Sequence, residues 1–193
     1  MPRIVRGAEI DWEGTTARGS GVVRALSSGS FELSSTIASR VDIVEGKTSP
    51  EELLAAAHAT CFVTSLGSEL ARLGAPPERM HVRCTITMDE VEGSGHRIVG
   101  SHISASAVAP AADADTFAAA TEAADEGCPF SALIRASATV TVDATLEEGN
   151  VMTDRTAHVT WSGSLECDAH VSARSCRVSP NRAMTPSSTS GWA

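Results

Sequence analysis

Two of the five cysteines occupy sequence contexts in which a thiol can do chemistry, Cys61 and Cys128. Cys61 lies in an apolar run with helical character, where a lone cysteine is usually a small buried packing residue. Cys128 immediately precedes Pro129, at the predicted start of a helix, where unpaired backbone N–H groups and the helix dipole favour a thiolate. From the residues alone, reactivity and simple packing remain open at both positions.

The other three cysteines are in sequence contexts that are less suited to a reactive thiol. Cys84 belongs to the apolar set of a predicted strand, and Cys167 and Cys176 lie in a polar C-terminal region. A metal site made from Cys167, His170 and Cys176 is conceivable, but their spacing matches no common zinc module. No flavin, haem or nicotinamide signature is present, so we expect neither a metal nor a cofactor.

Three charged or titratable residues near Cys61 have two interpretations each. Glu51 can simply complement the positive end of a helix, and Arg40 can be a solvated strand-end charge. Alternatively they form a charged pair beside a thiolate, in which the arginine favours ionisation and a bidentate contact with the carboxylate fixes the guanidinium. His58, one turn before Cys61, is either a satisfied core histidine or a contact of the thiol.

The elements that position these residues follow from periodicity and turn chemistry. Alternating and β-branched residues predict a meander of strands over residues 3–12, 21–26 and 30–38. Ser49 as cap, Pro50 at the first helical position and Glu52 in a capping box predict a helix to about residue 73, ended by Gly74. Since this helix is apolar on nearly every side, its first four turns should be enclosed by protein.

The second half of the chain alternates strands and helices. We predict strands over residues 80–91 and 97–108, joined by a glycine-rich turn, then a helix over residues 116–126 capped by Asp113 or Asp115. A short helix from Cys128 to about residue 135 and a strand over residues 138–146 complete the predicted domain. After residue 147 the chain is rich in Ser, Thr and Arg, with only weak strand-like stretches at 157–161 and 165–171.

Length and composition restrict the class of protein. The 193 residues suffice for one compact domain, which we place at residues 1–147, with a C-terminal extension over 148–193 that we expect to be disordered. A formal charge of -9 opposes binding to a nucleic-acid backbone. No signal peptide and no uninterrupted apolar run of about 20 residues is present, so we expect a cytoplasmic protein without a membrane span.

Several separate signatures resemble the OsmC/Ohr family of osmotically inducible and organic hydroperoxide resistance proteins. They are the run KTSPEELLAAAHATCF at residues 47–62, the later GCPFS at 127–131, the WEG turn at 12–14 and the VDATL strand at 142–146. The resemblance covers about residues 3–147. The histidine in AAAHA, His58, is similar to the OsmC branch.

The resemblance implies an α+β fold in which two chains intertwine, with strands wrapped around two central helices. It also implies a peroxidase with Cys61 as the attacking cysteine, Cys128 as the resolving cysteine, and Glu51 and Arg40 as their charged partners. An external dithiol, such as a lipoyl-protein, would reduce the resulting disulfide, and the protein would serve in defence against oxidative or osmotic stress. The apolar residues near Cys61, with Phe62 and Phe130 flanking the two cysteines, favour organic hydroperoxides over hydrogen peroxide as substrate. The alternatives are a non-enzymatic redox sensor or binding protein, and a structural domain with inert thiols.

Helix geometry bears on how Glu51 could serve Cys61. Ten residues separate them, which is ~15 Å along a straight helix at 1.5 Å per residue. Either the helix start is bent or the carboxylate comes from a second subunit, and a two-fold arrangement is the simplest source of one. We therefore predict paired active sites at a homodimer interface.

Overall fold

A computed structural model describes residues 3–42 and 46–148 of the chain. The elements, in chain order, are β1 (Ala8–Glu13), β2 (Ser20–Ala25), β3 (Glu32–Ser35), α1 (Ile37–Val41), α2 (Pro50–Arg72), β4 (Arg79–Val91), β5 (Gly95–Val108), α3 (Ala114–Gly127), α4 (Pro129–Arg135) and β6 (Thr139–Glu147). The strand-like stretches predicted at 157–161 and 165–171, and Cys167, His170 and Cys176, lie outside the described residues.

The strands form two separate sheets. Sheet 1 is the antiparallel meander β1-β2-β3, and sheet 2 has the order β4-β5-β6, with β4 and β5 antiparallel and β6 parallel to β5. The parallel pairing of β6 requires a crossover, which α3 and α4 provide. The α+β class predicted from the sequence is confirmed, and so is the alternation of β4, whose even-numbered residues from 80 to 88 point inwards.

The core lies between sheet 2 and the helices α2 and α3. Along α2, one side chain per turn is buried, at His58, Phe62, Leu66 and Leu70. This stripe packs with Ile103 and small alanines of β5, and with Phe117, Ala120 and Ala124 of α3. By length and composition alone α2 would also qualify as a membrane span, but its packed stripe is that of a core helix.

The described residues do not by themselves enclose the first turns of α2, so enclosure of these turns by further protein stays a prediction. Only its 58-62-66-70 stripe is buried, and the other apolar positions between Leu53 and Val63 stay partly exposed. The apolar character of those other faces therefore has no partner within the described chain.

The third predicted strand was too long. It ends at Ser35, and α1 follows because Thr36 caps it: Thr36 Oγ1 accepts from the Ser39 amide and Ser39 Oγ accepts from the Thr36 amide, each at 3.1 Å. This reciprocal capping outweighs the β-branched character of residues 36 and 37. Ser39 also donates to the carbonyl oxygen of Thr48 at 2.9 Å, which brings α1 beside the start of α2.

The start of α2 is as predicted, with one difference. Ser49 Oγ accepts from the Glu52 amide at 3.2 Å, and Pro50 is the first helical residue. The Glu52 carboxylate, however, accepts from Thr48 Oγ1 at 2.9 Å, so the reciprocal half of the predicted capping box is replaced by a side-chain contact. Gly74 follows the helix with φ 79°, as the predicted left-handed terminator.

Candidate active site

The fold brings Cys61 and Cys128 together from distant parts of the chain. Cys61 lies in the middle of α2 and is partly exposed, whereas Cys128 joins α3 to α4 and is 0% exposed. The Cys128 side chain lies close enough to Cys61 to act on its ionisation, and both thiols are free. Cys128 is the N-cap residue of α4, as predicted, although its side chain makes no capping hydrogen bond.

The surroundings of Cys61 act on its ionisation in both directions. Burial raises the pKa of the Cys61 thiol above its ordinary value, and the neighbouring Cys128 thiol raises it further. The backbone N–H of Phe130 and the side chain of Ser65 oppose this rise, because hydrogen bonds to the sulfur favour the thiolate. Within one chain, the net effect favours the protonated thiol.

Arg40 and Glu51 form a close ion pair between α1 and the first turn of α2. Arg40 Nε and Nη2 approach the same carboxylate oxygen, Glu51 Oε1, at 2.9 and 2.8 Å. The bidentate contact expected from the sequence, with one nitrogen on each oxygen, is therefore not formed. Glu51 Oε2 is buried and has no hydrogen-bond partner among the described residues, and Arg40 Nη2 also lies 3.4 Å from the sulfur of Met88.

Within one chain, the Arg40–Glu51 ion pair lies away from Cys61. The groups that act on the thiol are Cys128, Phe130 and Ser65, and α2 runs unbroken from Pro50 to Arg72. The helix start is not bent, so Glu51 and Cys61 stay ~15 Å apart along the axis. Of the two routes considered from the sequence, a bent helix is excluded for the single chain.

His58 is a satisfied core histidine and does not contact Cys61. It is 0% exposed, with Nδ1 2.8 Å from Ser101 Oγ and Nε2 2.9 Å from Ser131 Oγ. Cys84 completes the cluster, its sulfur 3.3 Å from Ser101 Oγ. Burial lowers the pKa of His58, and Arg135 lowers it further while Asp125 opposes the shift.

Three side chains of this region, those of Ser65, Ser101 and Ser131, and the role of the Phe130 backbone amide were not identified from the sequence. Ser65 lies one turn after Cys61, a spacing that i, i+4 contacts on a helix could have indicated. The role of the Phe130 amide follows from its place in the first turn of α4, where N–H groups have no helical partner. Ser101 and Ser131 are 43 and 73 residues from His58, and no local pattern indicates such contacts.

Metal coordination has no candidate among residues 3–42 and 46–148, where no three His, Cys, Asp or Glu side chains are grouped to hold an ion. The possible site made from Cys167, His170 and Cys176 falls in the part of the chain that is not described.

Comparison with known proteins identifies the family. The family model for OsmC-like protein matches residues 44–143. The chain is 31% identical over 137 residues to a protein named Peroxiredoxin OsmC from Escherichia coli (strain K12), covering 71% of this chain and 94% of that relative. The protein of the same name from Shigella flexneri matches to the same extent. The chain belongs to the OsmC-like family, and the resemblance found in the sequence is confirmed.

Solved structures show the same fold. An organic hydroperoxide resistance protein OsmC from Legionella pneumophila superposes with a TM-score of 0.60 at 20% identity, covering 74% of this chain and 99% of that one. The organic hydroperoxide resistance protein OhrB of Bacillus subtilis gives 0.56 at 20% identity, covering 72% and 98%. Together with the names of the relatives, membership of the family supports a peroxidase-type role.

Proposed function

We propose that the chain is a cysteine-based peroxidase that reduces organic hydroperoxides, with Cys61 as the attacking thiol and Cys128 as the resolving thiol. The observation that carries this proposal is the proximity of two free thiols of unequal exposure, close enough for Cys128 to act on the ionisation of Cys61. Peroxide arriving from solvent meets the partly exposed Cys61 first, whereas Cys128 is fully enclosed. This difference in exposure supports the assignment of the two roles.

The proposed cycle has two chemical steps in the oxidative direction. The Cys61 thiolate attacks the distal oxygen of ROOH, the O–O bond breaks, and the leaving alkoxide takes a proton to become an alcohol, while the sulfur becomes a sulfenic acid. Cys128 then attacks that sulfur, a disulfide forms, and water leaves. An external dithiol, such as a lipoyl-protein or a small dithiol, reduces the disulfide and closes the cycle.

The preference for organic peroxides rests on the names of similar proteins and on one aromatic side chain. Two structural relatives are named organic hydroperoxide resistance proteins. Of the two phenylalanines that flank the cysteines, Phe62 is fully buried in the core and cannot line an entrance. Phe130 is partly exposed beside Cys61 and is the residue that could contact an alkyl group.

The ion pair Arg40–Glu51 would act on Cys61 from a second subunit. A fixed positive charge beside Cys61 would favour the thiolate, against the effect of burial seen in one chain. Since the pair lies ~15 Å from the Cys61 of its own chain, we propose that it serves the Cys61 of a partner chain in a homodimer. The oxygen Glu51 Oε2, which has no hydrogen-bond partner among residues 3–42 and 46–148, is consistent with a contact to a second subunit.

The test is peroxide turnover with purified protein and excess reductant. We expect consumption of cumene or tert-butyl hydroperoxide to exceed that of hydrogen peroxide, and dihydrolipoamide to support turnover better than glutathione. Cys61→Ser should abolish turnover, whereas Cys128→Ser, in the absence of reductant, should consume one equivalent of peroxide without forming a disulfide. Ser68→Ala is the control, because Ser68 is an exposed residue of the same helix whose hydroxyl donates to the Thr64 carbonyl at 2.8 Å, outside the thiol pair and the His58 cluster.

Two results would contradict the proposal. If oxidant oxidises Cys61 stoichiometrically and excess dithiol restores no turnover, the chain is a redox sensor and not an enzyme. If mass spectrometry after a brief pulse of peroxide finds the peptides carrying residues 61 and 128 unlinked and unreacted, the thiols are structural.

A further inference from the structure

We propose that His58 is a positioning residue for the second step of this cycle, the attack of Cys128 on oxidised Cys61. The inference rests on the proposed function and extends it, since His58 contacts neither sulfur. It acts through a hydrogen bond that joins the two helices from which the reacting cysteines project.

The geometry of that link is symmetrical about the two thiols. His58 lies three residues before Cys61 on α2, and Ser131 lies three residues after Cys128 in the first turn of α4. The His58 Nε2 to Ser131 Oγ distance is 2.9 Å. One hydrogen bond therefore spans α2 and α4 within about one helical turn of each reacting sulfur.

The imidazole is itself fixed from the opposite side. Its Nδ1 lies 2.8 Å from Ser101 Oγ on β5, and Ser101 Oγ lies 3.3 Å from the sulfur of Cys84 on β4. His58 and Ser131 are each 0% exposed and Ser101 is 2% exposed, so these contacts are shielded from bulk solvent. The position of α4 is thus tied through His58 to the rigid centre of sheet 2.

Counting protons shows which group donates in each hydrogen bond of the series from Ser131 through His58 to Ser101. If Ser131 donates to Nε2, then Nδ1–H donates to Ser101, and the Ser101 hydroxyl remains free to donate to the Cys84 sulfur. The reverse direction leaves the Ser131 hydroxyl proton without a partner among the hydrogen bonds of the described residues. We therefore assign the neutral Nδ1–H tautomer, in which every hydroxyl proton has an acceptor.

The resolving step needs such a link because disulfide geometry tolerates little error. Cys128 must reach an S–S bond of about 2.05 Å to Cys61 with a restricted dihedral angle. In this step the S–S bond forms, the S–O bond of the Cys61 sulfenic acid breaks, and hydroxide leaves with the proton of the Cys128 thiol as water. Loss of the link would let α4 shift, and a displacement of ~1 Å can cost about a hundredfold in rate.

Two substitutions at residue 58 distinguish a role of the His58–Ser131 hydrogen bond from a role of side-chain packing. The amide of His58→Gln reaches the position of Nε2 and keeps the contact with Ser131, whereas the shorter amide of His58→Asn reaches the position of Nδ1 and keeps only the contact with Ser101. Reduced protein is mixed with one equivalent of cumene hydroperoxide and quenched over time. The Cys61 sulfenic acid is trapped with dimedone, and the disulfide is measured by mass spectrometry.

We expect His58→Asn to slow disulfide formation by about tenfold or more, with the rate of sulfenic acid formation unchanged, and His58→Gln to restore most of the wild-type rate. Ser131→Ala should behave as His58→Asn, and Ser131→Thr, which keeps the hydroxyl, as wild type. This second pair keeps the test valid if a His58 variant fails to fold.

The role of His58 would be overturned if His58→Asn formed the disulfide as fast as His58→Gln and Ser131→Ala as fast as Ser131→Thr. It would also be overturned if the variants slowed sulfenic acid formation and disulfide formation equally. Failure of the wild-type protein to link residues 61 and 128 is a different result, and it would overturn the proposed function instead.

Discussion

At the scale of single residues, the candidate site combines a thiol whose burial disfavours ionisation with contacts that favour it. Burial and Cys128 raise the pKa of Cys61, and the Phe130 amide and Ser65 oppose them. Arg40, whose charge could reverse this balance, is paired with Glu51 in the first turn of α2. The proposed reactivity of Cys61 therefore requires a charge from a second chain in addition to the residues beside the sulfur.

His58 gives a prediction about pH and stability. Burial lowers its folded-state pKa below the ordinary value of 6.5. The unfolded chain therefore takes up a proton at His58 as the pH falls through about 6.5, before the folded chain does, so protonation favours unfolding. The contribution of His58 is fully present above that pH, declines below it, and levels off once the pH is below the folded pKa.

Urea unfolding between pH 8 and pH 5 measures this effect. We expect the free energy of unfolding to fall with pH below about 6.5 in the wild type, and to fall less steeply in His58→Gln, which carries no titratable group at this position. Identical pH dependence in the two proteins would show that His58 titrates alike in the folded and unfolded states.

At the scale of elements, the start of α2 carries both stability and chemistry, because the same turn holds Glu51 and the cap residue Ser49. Ser49 Oγ satisfies the otherwise unpaired Glu52 amide at 3.2 Å. Ser49→Ala should therefore lower the free energy of unfolding by about 1 kcal/mol, measured by urea denaturation at pH 7. Ser49→Asp, which keeps an acceptor, is the control, and an equal loss in both variants would contradict a capping role.

The same element shows which features a sequence can predict. Ser49, Pro50 and Gly74 define the bounds of α2 by local backbone chemistry, and the structure confirms them within one residue. Local chemistry was misjudged at Thr36, where reciprocal capping with Ser39 starts a helix in place of a longer strand. Cys84, Ser101 and Ser131 gather around His58 from three other elements, and such contacts depend on packing that no local pattern contains.

At the scale of the whole molecule, sheet 1 presents an apolar face that the described part of the chain leaves open. Ile10, Val23 and Leu33 are cross-strand neighbours on that face, and Ile10 is 54% and Leu33 37% exposed. The opposite face is polar, with Arg24 bridging Asp11 and Glu32 at 2.7 and 2.9 Å. Among the described residues, sheet 1 makes no extensive contact with sheet 2 or with α2, α3 and α4.

An amphipathic sheet and a half-exposed apolar helix in one chain favour pairing with a second copy. Exposed apolar patches of this kind are typical of protein interfaces, and a two-fold dimer would let each chain cover the other. The same pairing is the remaining route by which Glu51 and Arg40 could reach a Cys61, because α2 is unbroken between them. Burial of apolar surface and assembly of the active site would then depend on one interface.

Mixed dimers test whether Glu51 and Cys61 of one site come from different chains. Differently tagged chains carrying Cys61→Ser and Glu51→Gln would form a mixed dimer with one complete site if the pair works between chains. A wild-type chain combined with the Cys61→Ser, Glu51→Gln double variant would then have no complete site. We expect about half of the wild-type turnover in the first mixed dimer and only background in the second, from the two-fold symmetry. Activity in the second and none in the first would place Glu51 with the Cys61 of its own chain, and a monomer in sedimentation at micromolar concentration would exclude the shared site altogether.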